Sequence, residues 1–285
     1  MKKSLFLIAL FVSTYSMSFS QDKPAYLIYN AKGKQVTYQK MIADLAKKDI
    51  TLFGESHNNP ISHWLEYEVT ADLAKQKPMI LGAEMMEADN QEAVDKYLKG
   101  EIDEEQLPKE ARLWPNYATD YAPLLDFAKE NNLPFIATNI PRKYASLVFK
   151  NDFQALDSLS EKEKSWIAPL PIKFDPDLPT YQNISKMMGE HGSPLLVKAQ
   201  AIKDATMAYF ILKNYKEGSG FIHFNGSYHS DDYEGILWYL KQEKPDLKYG
   251  TISTVSQDDN NKLDKENLNK ADYIICVDAK MTTTY

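Results

Sequence analysis

Ile50-Thr51-Leu52-Phe53-Gly54-Glu55-Ser56-His57 is the stretch on which the fold turns. Four β-prone residues end in a glycine, and a histidine follows three positions later. The same spelling returns in Phe221-Ile222-His223-Phe224-Asn225-Gly226-Ser227-Tyr228-His229. Open α/β sheets bind ligands beyond the carboxyl ends of their strands, where a rigid scaffold holds the loops. Two histidines delivered to such ends from distant parts of the chain can meet at one site.

Outward from these runs, residues 26–29, 79–85, 135–138, 248–255 and 274–277 also read as strands. Helical patterns cover 37–47, 61–75, 90–98, 121–131, 141–149, 193–214 and 232–241, with Thr37 placed to cap the first. Strands alternating with helices predict an α/β fold whose mainly parallel central sheet carries helices on both faces. Residues 150–192 change character, with Pro169, Pro171, Pro176, Pro179 and the cluster Met187-Met188-Gly189-Glu190-His191-Gly192. They are expected to form a helical insertion over the carboxyl edge of the sheet.

The amino-terminal twenty residues carry a basic head, a short apolar middle from Leu5 to Val12 and a Ser18-x-Ser20 end, the pattern of a secretory signal peptide. Cleavage is expected near Ser20, leaving residues 21–285 as one α/β domain in the periplasm or outside the cell. The cleavage region has no lipobox cysteine, and no later run is long and apolar enough to span a membrane. With 33 basic against 40 acidic residues the net charge is −7, which argues against nucleic acid as a partner. The one cysteine, Cys276, sits in Tyr273-Ile274-Ile275-Cys276-Val277 and reads as a buried strand thiol.

Four groups fall at strand ends: Glu55 and His57, Glu84 in Leu81-Gly82-Ala83-Glu84-Met85-Met86-Glu87, and His229. Two imidazoles and two carboxylates can hold a divalent metal ion or move protons on a polarised carbonyl. Taken one by one, a glutamate after a strand can simply favour the next helix N-terminus, and a histidine can simply bond a loop. Arg142, in Asn139-Ile140-Pro141-Arg142, stands at the same edge and suits a carboxylate or phosphate, or an ordinary ion pair. Gln200 and Asp204 share one helical face and are expected to support the histidines or to fix packing. His223 reads as a core histidine and His63 as solvent-facing.

Five segments in order, Leu52–His57, Ala83-Glu84-Met85, 123–128 with Asn139-Ile140-Pro141-Arg142, 199–208 and Gly226–His229, resemble the ChaN-like haem-binding uptake family. That family belongs to the Tiki superfamily, with the erythromycin-esterase-like proteins. The resemblance implies an α/β fold, a cell-envelope location, haem as cofactor and a role in iron acquisition. It also places the superfamily's site on Glu55, His57, Glu84 and His229. Haem iron accepts His, Tyr or Met ligands. Tyr181, Met187 and His191 are the candidates in the insertion, and any of the other tyrosines remains open. Arg142 and Lys203 are expected to meet the propionates. Expected partners are haem, outer-membrane or periplasmic uptake components and a second copy of the chain. A rival reading is a hydrolase that uses the four strand-end groups, with or without a metal ion.

Overall fold

The structure is a computed structural model that describes residues 23–187 and 193–285. Eight strands form one sheet: β1 (Tyr26–Asn30), β2 (Gln35–Val36), β3 (Ile50–Glu55), β4 (Met79–Glu87), β5 (Phe135–Asn139), β6 (Gly220–Gly226), β7 (Tyr249–Gln257) and β8 (Tyr273–Asp278). Their order is β2-β1-β8-β7-β3-β6-β4-β5. β1 runs antiparallel to β2 and β8, and the other neighbours are parallel. The mainly parallel α/β fold read from the sequence is therefore observed.

Helices cover both faces. On one lie α1 (Tyr38–Leu45), α2 (Pro60–Ala74), α3 (Gln91–Leu98) and α5 (Ala122–Glu130), α4 (Leu107–Glu110) being a single turn between the last two. Near the other lie α6 (Arg142–Asn151), α7 (Glu161–Lys164), α8 (Pro179–Met187), α9 (Pro194–Asn214) and α10 (Ile236–Glu243). The strand period of two decides which face each side chain joins. Phe53 packs with Leu65 and Val69 of α2, whereas Ile50 and Leu52 pack with Met207 and Ile211 of α9. Both faces are buried, so the strands read as continuous apolar runs.

Local capping explains where the site-bearing helices start. Thr37 accepts from the Lys40 amide, as expected, and Asn59 accepts from Ile61 and Ser62 ahead of Pro60. Ser193 and Pro194 do the same for α9. About half of the described residues 150–187 are helical, in the end of α6, a 3-10 turn at Phe153–Leu156, α7 and α8. Prolines break the pattern between them. Leu178 and Tyr181 dock on Val197 and Ala201 of α9, so the segment is fastened to the sheet-covering helix.

Candidate functional site

β3, β6 and β4 are neighbours, which brings Glu55, Gly226 and Glu84 side by side at the carboxyl edge. Two glycines permit the close packing. A Cβ on Gly54 would stand 2.9 Å from the Ile252 carbonyl, and one on Gly226 would stand 2.7 Å from His57 Nε2. Glu84 lies where the β4–β5 register shifts between Ala83 and Glu87, an irregularity that aims its carboxylate across β6. Its Oε2 accepts from the Gly226 amide at 2.7 Å.

His229 is buried between two carboxylates. Nε2 lies 3.1 Å from Glu84 Oε1, and Nδ1 lies 2.5 Å from Asp204 Oδ1. Burial works against its charge, but Glu84 and Asp204 outweigh it and push the imidazole up to about 9. Burial likewise opposes ionisation of Glu84, yet His229, His57 and Lys203 hold it far below the usual range. Asp204 is raised by burial against the pull of His229 and Tyr181. Tyr181 donates to Asp204 Oδ2 at 2.8 Å, and the Gln200 amide lies 3.0 Å from His229 Nδ1. Both residues of the α9 pair therefore touch the histidine.

His57 forms the second pair. Its Nδ1 lies 2.6 Å from Glu55 Oε1, which also accepts from Tyr121 at 2.7 Å. Burial disfavours the charge on His57, but Glu55 and Glu84 win and raise its pKa. His63 is not solvent-facing as expected from its polar surroundings. It is 7% exposed, because the segment around Asn116 and Tyr121 covers that end of α2. Its Nδ1 lies 3.2 Å from Glu66 and 3.6 Å from Glu55. Burial and then the charge of Glu55 raise Glu66 well above the usual carboxylate range. The four residues expected to share a metal thus divide into two His–Glu pairs. Among the described residues, the three ligand-type side chains with atoms within 4.8 Å of one another are Glu55, His63 and Glu66.

Between the two histidines and the outer loops lies a cavity of about 680 Å³. Leu113, Trp114, Pro115, Ile140 and Ile184 supply apolar walls; Arg112, Arg142 and Lys203 supply positive charge; His57, Tyr228 and His229 reach its surface. Glu87 pairs with Arg112, and no carboxylate among the described residues lies within 4.0 Å of Arg142. Burial and the neighbouring Arg142 both work against the charge on Arg112, so two guanidiniums crowd one rim. Of residues 150–187, Ile184 lines the cavity. Tyr181 does not: it is 1% exposed and its hydroxyl is committed to Asp204. Met187 is the last residue of α8, and His191 lies outside the described residues.

A model of the family described as "Haem-binding uptake, Tiki superfamily, ChaN" matches residues 41–240, which include both histidine pairs and every cation of the rim. The chain belongs to the ChaN family. A Campylobacter jejuni ChaN, solved in a study of cofacial haem binding, superposes with a TM-score of 0.68 at 17% identity, covering 89% of this chain and 97% of that one. A Bacillus cereus protein gives a TM-score of 0.50 at 11% identity, covering 82% and 90%. At these identities the likeness is one of fold. The Arabidopsis thaliana chloroplast protein RETICULATA-RELATED 5 is 24% identical over 207 residues, 66% of this chain. This chain spans 27% of that relative's length.

Several residues of this ChaN-family site were not visible as such in the sequence. Arg112 and Trp114 come from the stretch between α4 and α5, which has no apolar period. Tyr228 was inside the repeated motif, and its place just after a strand was the available signal. For Glu66 the signal was Ser62, Glu66 and Thr70, polar residues four apart on the stripe of α2 that also buries Leu65, Val69 and Leu73.

Proposed function

We propose that this chain binds haem in the cavity at the carboxyl edge of its sheet. The observation that carries the reading is the cavity's composition. Trp114, Ile140 and Ile184 offer an apolar face, Arg112, Arg142 and Lys203 stand at its rim, and Tyr228, 55% exposed, brings a phenol to the same space. A flat apolar macrocycle with two carboxylates and a metal needing an axial donor matches each of those elements. The residues present therefore fit the group. Tyr228 is the iron ligand we assign; His57 and His229 are the imidazoles that also reach the cavity. Bound haem would supply a redox-active, Lewis-acidic iron; the chain's part is to hold the propionates on Arg112, Arg142 and Lys203 and to shield one face from water. Family membership and the Campylobacter relative's haem support the same reading.

The role we propose is haem or iron uptake in the cell envelope. Its location, periplasmic or secreted, rests on the amino-terminal pattern of the sequence. Outer-membrane or periplasmic uptake components and a second copy of the chain are the partners proposed with it. Stoichiometric haem added to the purified protein is expected to give a Soret band that survives gel filtration and shifts in Tyr228→Phe. No retained band overturns the proposal.

One observation favours a second reading. His57 is exposed to the cavity while Glu55 holds its Nδ1, which is the arrangement of an oriented general base. Hydrolysis of an ester substrate without haem, abolished by His57→Ala, would support it. Equal turnover in that variant would exclude it.

A further inference from the structure

Glu55 turns its two oxygens to different neighbours. Oε1 holds His57 and Tyr121, while Oε2 faces His63 and has no hydrogen-bond partner. Glu66 Oε1 is likewise buried without a partner. Both glutamates are at most 1% exposed. No lysine or arginine among the described residues comes within 4.0 Å of either.

The tautomer of His63 sharpens the problem. Nε2 lies 3.1 Å from the His57 carbonyl and 3.5 Å from Asp120 Oδ2, both acceptors, so the ring carries a hydrogen there. If the ring is neutral, Nδ1 points a lone pair at Glu66 Oε2, 3.2 Å away, and at Glu55 Oε2, 3.6 Å away. A neutral Glu66 can share its proton with Glu55, whereas with both ionised the lone pairs of an imidazole and two buried carboxylates repel unless a cation stands among them.

We propose that Glu55, His63 and Glu66 form a binding site for a first-row divalent cation. Bonds of the usual length to nitrogen and oxygen in tetrahedral geometry separate neighbouring ligand atoms by about 3.3 Å, close to the 3.2 and 3.6 Å from His63 Nδ1 to the two glutamates. Calcium, which takes six to eight oxygens, is poorly served by two carboxylates and an imidazole. The Nε2–H donated to a carbonyl is the second contact that commonly orients a metal-binding imidazole. Through Glu55 the ion would fix His57 and Tyr121, and hence one wall of the cavity. The site does not depend on haem.

The test uses the full chain, stripped with chelator and titrated with zinc chloride. About one zinc per chain is expected to survive desalting, with the melting temperature raised by several degrees at saturation. Glu66→Gln, equal in size and unable to offer a second anion, is expected to bind about 100-fold more weakly. In the unmutated protein the His63 ring resonances should shift on zinc addition while those of His229 stay. A wild-type chain that retains no zinc would overturn the proposal, leaving a proton among Glu55, His63 and Glu66 in the cation's place. Equal loading of the variant, or a shift of His229 in place of His63, would overturn it too.

Discussion

Glu84 ties Gly226 and His229 together: one oxygen accepts the Gly226 amide at 2.7 Å and the other lies 3.1 Å from His229 Nε2. With Asp204 on the opposite side, the ring is an imidazolium at neutral pH. Its pKa is raised from 6.5 to about 9, so its contribution to stability is complete below 6.5 and disappears as pH rises through 9. The loss amounts to about 3 kcal/mol. Urea midpoints measured from pH 6.5 to 9.5 should fall accordingly, and Glu84→Gln should flatten the curve while lowering stability at pH 6.5. An unchanged midpoint at pH 9.5 would contradict the paired-imidazolium geometry.

His223 behaves oppositely. Asn225 uses its amide hydrogens on Gly226 and Ser230, so its oxygen must accept from His223 Nδ1 at 3.1 Å. Nε2 lies 2.7 Å from the Thr138 hydroxyl, whose single hydrogen is also within reach of the Ala83 carbonyl at 2.9 Å. Burial, with no carboxylate in contact, lowers the pKa from 6.5 to about 4. Unfolded chains therefore bind a proton that folded ones refuse, and stability falls by about 3 kcal/mol as pH drops from 6.5 towards 4. A His223 Cε1–H resonance that titrates near 6.5 in the folded protein would refute this.

What could be read ahead of the structure follows the physics of each part. Strands carry their signal in contiguous apolar runs, so the sequence puts Glu55, His57, Glu84, His229 and Arg142 at strand ends of one sheet edge. Gln200 and Asp204 were legible because a helix puts every fourth residue on one face. His63 was misread because its burial comes from Tyr121 and Asn116, which reach it through a π-helical turn far along the chain. Such cover has no local pattern. The same holds for Arg112 and Trp114, whose position depends on an irregular loop crossing the sheet edge.

Gly226 tests the closeness of the two histidine pairs. An alanine there would put a methyl 2.7 Å from His57 Nε2 and 2.8 Å from its Cε1. His57 must then leave its 2.6 Å contact with Glu55, or the strand end must move. Gly226→Ala is expected to cost about 1–3 kcal/mol in urea denaturation and to bring the His57 pKa down as its carboxylate partner is lost. A variant with wild-type stability and an unmoved His57 titration would show that the cavity wall is looser than drawn.

Arg142 separates binding from folding. It is exposed, lines the cavity, and has no carboxylate partner among the described residues. Removing its charge therefore leaves no buried anion stranded, and Arg142→Gln should change stability by less than about 0.5 kcal/mol. In the haem reading it supplies a charge-assisted hydrogen bond to a propionate, worth about 1.5–3 kcal/mol. Haem affinity should drop about ten- to a hundredfold, and by less in high salt, where the remaining rim charges are screened. Arg112→Gln is the informative contrast: it frees buried Glu87, so it should weaken haem and also destabilise the fold. Equal haem affinity in Arg142→Gln and the wild type would move the propionates away from this rim.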